Sequence, residues 1–375
     1  MLLHIFRFFI RIFYLFPVCK NKVVLQSFNG RLYNCNPKYI TESLAKTERY
    51  KLYFALNRGV EPSLPAGVKR LTYRSVLHFY HLMTAGFVIF NSTGITGYLP
   101  FRKSQTVIQT WHGAYSFKVI GNDFNHDEKA RKRRLLSGTQ IDYFLSGSQL
   151  ASEQHSRAMC VSRDKFLEIG LPRNDILFQD QNAIRDKVHT HFGLPDDIKF
   201  VLYAPTFRDG PVKSMSGYGL PPIDPVSVMK ALEERFGGKF VFLYKAHHNM
   251  IPTNIGADCI NASDYSDIQE LLCASAVLLT DYSSCMADFA QQKRPGFLYA
   301  PDLEDYISAH PVSMDPALWP YQIAHTNEEL IRNIRSYDEQ AGLERIEGFF
   351  SRIGNCEDGH AMEKLLHHMD EKLKQ

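Results

Sequence analysis

Short apolar runs rich in β-branched and aromatic residues alternate with amphipathic stretches along the chain, and this alternation restricts it to a parallel sheet wound with helices. The first set of strands is predicted at Val23–Phe28, Leu52–Leu56, Lys69–Tyr73, Phe87–Asn91, Val107–Trp111, Tyr143–Ser146 and Phe166–Ile169. After Gly193-Leu-Pro the pattern restarts, with strands at Phe200–Ala204, Phe240–Lys245, Cys259–Asn261, Val277–Asp281 and Gly296–Tyr299. Two doubly wound, Rossmann-like α/β domains facing a cleft are therefore expected, consistent with a length of 375 residues. The polar stretch 179–197 is the expected boundary, with a helix over Ala183–Phe192 inside it. The expected division is 1–20 as a terminal segment, 21–190 as an acceptor-side domain and 191–375 as a nucleotide-donor domain.

Composition narrows the class. A content of 45% hydrophobic and 22% charged residues is that of a globular protein, and a net charge of +3 gives no ground for a nucleic-acid partner. The seven cysteines are scattered, with no C-x-x-C pair and no His at zinc-ligand spacing, and read as reduced core residues of a cytosolic protein. The first sixteen residues, MLLHIFRFFIRIFYLF, carry Arg7 and Arg11 inside the apolar run and have no cleavage site. The run is too short and too charged to span about 30 Å of hydrocarbon. It is read as an amphipathic helix lying on an anionic membrane surface at the cytoplasmic face, the alternative being a terminal helix packed on its own domain.

In wound sheets, ligands bind beyond the carboxyl ends of the strands, so polar residues just after strands are the candidates. Val107–Trp111 runs into His112-Gly113, with Lys118 beyond; a histidine there, beside a glycine that permits close approach, suits a general base. The alternative is a structural histidine bonded to a loop carbonyl. Phe200–Ala204 leads to Arg208, and Phe240–Lys245 leads to His247 and His248. Arg208 and Lys245 suit a diphosphate, and His247 suits a donor to a phosphate oxygen. Val277–Asp281 meets Tyr282-Ser-Ser284, where Ser283 or Ser284 would cap a helix over Cys285–Gln291 whose N-terminus would attract an anion. Ser266-Asp-Ile-Gln269 reads as a capping box that brings Asp267 to a helix start. Gly170-Leu-Pro-Arg-Asn-Asp175 reads as a tight loop in which Arg173 and Asp175 either stitch the turn or contact the donor. The basic run Lys129–Arg134 has two open readings, a solvated helix face or a grip on anionic lipid or a phosphate-rich polymer.

In this order, Asn36-Pro-Lys-Tyr39, Trp111-His-Gly113, Gly170–Asp175, Leu202-Tyr-Ala-Pro-Thr-Phe-Arg-Asp209, Asp267–Leu272, Thr280–Ser284 and Asp302 resemble the CDP-glycerol glycerophosphotransferase family of teichoic-acid primases and polymerases, with relatives in capsule synthesis. The resemblance implies a GT-B fold, peripheral membrane attachment, and attack of an acceptor hydroxyl on the donor's β-phosphate with CMP leaving. It implies His112 as the base, His247 as the second catalytic or phosphate-stabilising histidine, and Arg208, Asp281, Ser283 and Ser284 as donor contacts. The implied partners are CDP-glycerol or a related CDP-polyol and a lipid-linked or polymeric acceptor. Lys245-Ala-His-His248 stands where the family has Arg-x-His-Pro, and His310-Pro-Val-Ser-Met-Asp-Pro stands where it has an Arg-Gly-aromatic segment, so ribitol phosphate is also open as the transferred group. No Asp-x-Asp triplet occurs, so no tightly held metal is expected, and a loosely bound Mg²⁺ escorting the donor stays open. The competing functions are a GT-B glycosyltransferase using a nucleotide-sugar and a non-catalytic scaffold of a polymer-assembly complex.

Overall fold

A computed structural model describes residues 2–206, 223–246 and 258–374. It falls into two compact units, one formed by 1–114, 120–175 and 356–375, the other by 115–119 and 176–355.

The first unit is built on seven parallel strands: β1 Cys19–Gln26, β2 Lys51–Leu56, β3 Lys69–Thr72, β4 Ala85–Phe90, β5 Thr106–Gln109, β6 Tyr143–Leu145 and β7 Phe166–Leu167, in the order β3-β2-β1-β4-β5-β6-β7. Successive residues alternate between its faces. Val23, Leu25, Phe87 and Ile89 pack on one side with Ile40, Leu44, Leu365 and Met369, while Val24, Val88 and Phe90 pack on the other with Ile10, Leu82 and Met83. Both faces are therefore buried, which is why the strands read as continuous apolar runs. The second unit repeats the plan with β8 Ile198–Tyr203, β9 Lys239–Tyr244, β10 Cys259–Asn261, β11 Ser275–Thr280, β12 Gly296–Tyr299 and β13 Gln322–Ala324, in the order β10-β9-β8-β11-β12-β13. In each sheet the strand order reverses direction once, between β1 and β4 in the first and between β8 and β11 in the second. All the predicted strands form; β13, three residues long, was not predicted.

The division of the chain differs from the expected break near residue 190. The helix Asn182–Phe192 belongs wholly to the second unit, where Lys187 pairs with Glu270 at 2.7 Å and neighbouring Gln181 accepts from Arg294 at 2.6 Å. The final helix, Ala361–Lys374, returns to the first unit. Both oxygens of Asp175 accept backbone N–H groups of its first turn, from Ala361 at 2.9 Å and Met362 at 2.8 Å. Glu357 bonds Leu171 N and the Asn174 amide at 3.0 and 2.9 Å. Gly170, at φ 86°, makes the turn before them, and a Cβ there would lie 2.8 Å from a Glu357 oxygen. A short antiparallel bridge also ties residues 115–119 into the second unit: Lys118 pairs with Val312, and Val119 N donates to Pro311 O at 2.8 Å.

The terminal segment forms the helix Leu2–Ile10 and the 3-10 turn Arg11–Leu15, one side of which packs on its own unit. Phe6, Ile10 and Phe13 pack into the first unit, Arg7 donates to Tyr98 O and Tyr14 to Pro100 O, while Phe8, Phe9 and Leu15 remain 70%, 66% and 82% exposed.

Two consequences are measurable. Asp175→Ala strips the cap from the last helix and should lower stability by about 1–2 kcal/mol in denaturant unfolding. Burial lowers the pKa of His78 to about 3, and burial followed by the charge of His112 does the same for His155. The unfolded chain takes up both protons near pH 6.5, so the stability these rings contribute is full above about pH 6.5 and is lost as pH falls toward about 3, at about 1.4 kcal/mol per ring per unit. The unfolding free energy should fall steeply through that window, and His155→Phe should make the slope shallower.

Candidate functional site

His112 follows β5 through two residues of forced geometry. Its Nδ1 lies 3.0 Å from the carbonyl of Asn91, and a carbonyl can only accept, so Nδ1 carries the proton and the lone pair is on Nε2. That is the tautomer a general base needs. Trp111, immediately before it, sits at φ 52°, a left-handed conformation costing on the order of 1–3 kcal/mol for a bulky residue. Several contacts hold the turn. The Asn36 amide donates to Thr110 O at 3.1 Å and Trp111 O at 3.2 Å, and Gln109 Oε1 accepts from Trp111 N at 3.0 Å. The indole stacks on His112 with centroids 4.3 Å apart and meets His155 at 5.1 Å and Phe144 at 6.3 Å. Phe28 closes on the imidazole from the loop after β1, at 5.4 Å.

Asn91 supports this arrangement as well as accepting from His112. Its side-chain oxygen accepts from Phe28 N at 2.8 Å, and its amide donates to Ser27 Oγ at 3.2 Å, joining the loops after β1 and β4 where the strand order reverses. Asn36 and Asn91 are both fully buried. Neither was picked out as a site residue from sequence; the signal for Asn36 lay in its family motif, and for Asn91 in its position directly after a strand. Gly113, next in the chain, is buried.

Arg173 is placed in this unit too. Its backbone N donates to Asn36 Oδ1 at 3.1 Å, and its guanidinium reaches Cys35 Sγ at 3.6 Å, so the loop Gly170–Asp175 supports the asparagine that supports His112. Asp175, expected as a donor contact or a stitch, is the cap of the last helix; burial raises its pKa against the pull of the two N–H groups.

In the second unit, the carboxylate of Asp281, fully buried after β11, accepts the backbone N–H of Thr206 at 2.9 and 3.0 Å, joining the loops after β8 and β11 at the reversal of that sheet. Tyr282 donates to Asp302 at 2.8 Å and stacks on Tyr306 with centroids 3.8 Å apart; Lys118 lies 5.2 Å over the Tyr306 ring. Ser283 Oγ accepts from Cys285 N at 3.4 Å, while Ser284 occupies the N-cap position of Cys285–Ala290 without a side-chain bond to the helix. Both serines are part-exposed. Lys245, expected at a diphosphate, donates instead to the carbonyls of Ser263 and Tyr265 at 2.8 and 2.7 Å, and burial lowers its pKa to about 8. Asp267, not Ser266, is the N-cap of Ile268–Ala274, accepting from Gln269 N at 3.0 Å. Arg208, His247 and His248 lie outside the described residues. Among the described residues, no three His, Cys, Asp or Glu side chains group as metal ligands.

The sequence profile of the CDP-Glycerol:Poly(glycerophosphate) glycerophosphotransferase family matches residues 8–370. The chain is 28% identical over 367 residues to the teichoic acid poly(glycerol phosphate) polymerase of Staphylococcus epidermidis, covering 92% of this chain and about half, 49%, of that protein's length. It is 29% identical over 366 residues to the teichoic acid glycerol-phosphate transferase of Staphylococcus aureus, covering 92% of each. The solved structure of a variant of the wall teichoic acid polymerase TagF superposes with a TM-score of 0.85 at 26% identity, over 97% of this chain and 93% of that one, and shares its pair of parallel-sheet α/β units, the GT-B architecture. With the profile spanning nearly its whole length, the chain belongs to the CDP-glycerol:poly(glycerophosphate) glycerophosphotransferase family.

Proposed function

We propose that the chain transfers glycerol phosphate from CDP-glycerol to a hydroxyl of a membrane-linked teichoic acid or capsule-type polymer, releasing CMP. The observation that carries this reading is the 3.0 Å contact of His112 Nδ1 with the Asn91 carbonyl, which leaves Nε2 of the neutral ring as the basic nitrogen, in a chain whose residues 8–370 match the glycerophosphotransferase family. Nε2 takes the proton of the acceptor hydroxyl as its oxygen attacks the β-phosphorus, the bond from that phosphorus to the bridging oxygen breaks, and CMP leaves with both bonding electrons. Transfer of this kind needs positioning and neutralisation of oxygen charge more than covalent help. Ser283 and Ser284 are assigned to the donor by their part-exposed position after β11, with Arg208 and His247 assigned by the family motif. Asp281 acts by fixing the backbone of Thr206, two residues before Arg208 in the sequence.

Attachment to the cytoplasmic membrane surface is part of the same proposal. Among the described residues, no helix is long and apolar enough to cross a membrane. The exposed Phe8, Phe9, Ile12 and Leu15, on a segment that also carries Arg7 and Arg11, suit insertion at the headgroup boundary. CDP-ribitol is the second donor to test, because the segment from His310 to Pro316 departs from the family pattern.

Purified protein incubated with CDP-glycerol, CDP-ribitol or nucleotide-sugars and a lipid-linked acceptor should release CMP from a CDP-polyol. His112→Ala should slow that release on the order of a hundred- to ten-thousandfold. Release of UDP or GDP from a sugar donor would assign the chain to glycosyl transfer instead. An unimpaired His112→Ala variant would remove the base from the mechanism. Chelation with EDTA should leave CMP release within about twofold, since loss of a catalytic metal would cost on the order of a hundredfold or more.

A further inference from the structure

We propose that the first unit carries a second anion site, for a phosphate group, at the amino ends of β4, β5 and β6, formed by Lys20, Lys103 and Lys372. His112 follows the opposite, carboxyl end of β5, so the two sites lie at opposite edges of one sheet. The lysines line a cavity of 330 Å³ together with Gly86, Gln105 and Asp142. That volume is within the range of small-ligand sites.

The cavity is made by a local break in the sheet. Cys19 pairs with Ala85 but Val23 pairs with Phe87, so β1 carries two extra residues over this stretch of β4. Gly86 faces the bulge, and a Cβ on it would lie 2.0 Å from the Lys20 carbonyl oxygen. Only glycine permits this approach. Within the bulge Lys22 turns inward to bond Thr84 Oγ1 at 2.7 Å, while Lys20 stays exposed at the cavity. Lys103 follows Arg102, whose guanidinium holds the carbonyls of Phe16 at 2.8 Å and Tyr14 at 3.4 Å. Lys372 lies 5.8 Å over the Tyr143 ring.

Charge at the cavity is unbalanced. Asp142 is its one acidic lining residue, and one of its oxygens accepts Val107 N at 2.8 Å. Among the described residues, neither Lys20 nor Lys103 pairs with a carboxylate. Lysines converging as compact, rotatable point charges suit a phosphate approached from several directions. Two sources supply that chemistry, the headgroup of an anionic lipid and a soluble phosphate. The lipid is favoured because the terminal segment with its exposed Phe8, Phe9 and Leu15 leads directly into Lys20. The lipid arm rests on the membrane reading above; the soluble-phosphate arm does not.

The test uses the full chain and a Lys20→Gln/Lys103→Gln variant. Vesicles of phosphatidylcholine with and without phosphatidylglycerol read the lipid arm, and titration with inorganic phosphate, followed by calorimetry, reads the other. Removing both lysines should weaken binding to the phosphatidylglycerol vesicles about 25-fold, about fivefold for each charge, whereas Lys129→Gln/Lys132→Gln, an equal charge loss elsewhere, should cost less than about fivefold. Phosphate binding lost in the variant with vesicle binding unchanged would identify a soluble ligand for the same site. CMP release in detergent should be the same in variant and parent; a parent without CMP release would sink the transferase assignment while leaving both binding arms readable. Equal losses in the two double variants would reduce the effect to diffuse attraction, and retention of both ligands by Lys20→Gln/Lys103→Gln would equally overturn the proposal.

Discussion

At the point where each parallel sheet reverses its strand order, two loops diverge and leave backbone donors without ladder partners, and in both units a buried side chain after the fourth strand captures an N–H from the loop after the first. In the first unit Asn91 takes Phe28 N; in the second Asp281 takes Thr206 N. A buried N–H left unpaired costs about 1–3 kcal/mol, so each bond fixes its loop strongly. The two solutions differ in charge. Asn91 is neutral and has an amide to spend on Ser27 and a backbone carbonyl to spend on His112, whereas Asp281 is an acceptor on both oxygens, takes Thr206 N with both and accepts from Tyr282 N as well.

A second set of bonds, centred on Asn36, sets the geometry on the other side of His112. Arg173 N orients the Asn36 oxygen, the Asn36 amide holds the carbonyls of Thr110 and Trp111, and Trp111 is kept in a left-handed conformation it would not adopt alone. At about 1 kcal/mol for each hydrogen bond, the asparagine and Gln109 together offset strain of the size expected at Trp111. The ring of Trp111 then presents one face to His112 and its surroundings to Phe144 and a neutral His155.

How much of this was legible in the sequence depends on what burial does to each residue type. Strands with two covered faces announce themselves as apolar runs, which is why Val23–Phe28 and Phe87–Asn91 were readable and Gln322–Ala324 was not: three residues carry no period. The final helix could be read as a helix but not assigned to a unit, because Leu365 and Met369 would suit either core. His112 was legible because a histidine after a strand beside a glycine is unusual. Asn36 and Asn91 were not, since asparagine is common in turns and its buried use depends on contacts far away in sequence. Lys245 and Asp281 stand out in the sequence as charged residues after strands, yet formal charge gives only a side chain's bonding capacity. In the fold Lys245 spends it on the carbonyls of Ser263 and Tyr265, and Asp281 on Thr206.

The return of the last helix to the first unit has a consequence for biosynthesis. A ribosome completes 176–355 before residues 361–374 emerge, so the second unit can close while one face of the first sheet still lacks Leu365, Met369 and the partner of Asp175. Its closing contacts join residues separated by most of the chain, a loop whose ordering is slow. Val23, Leu25 and Ile89 would stay incompletely covered until the helix 361–374 has emerged, and a nascent chain stalled short of that helix should be a client of chaperones rather than a folded first unit.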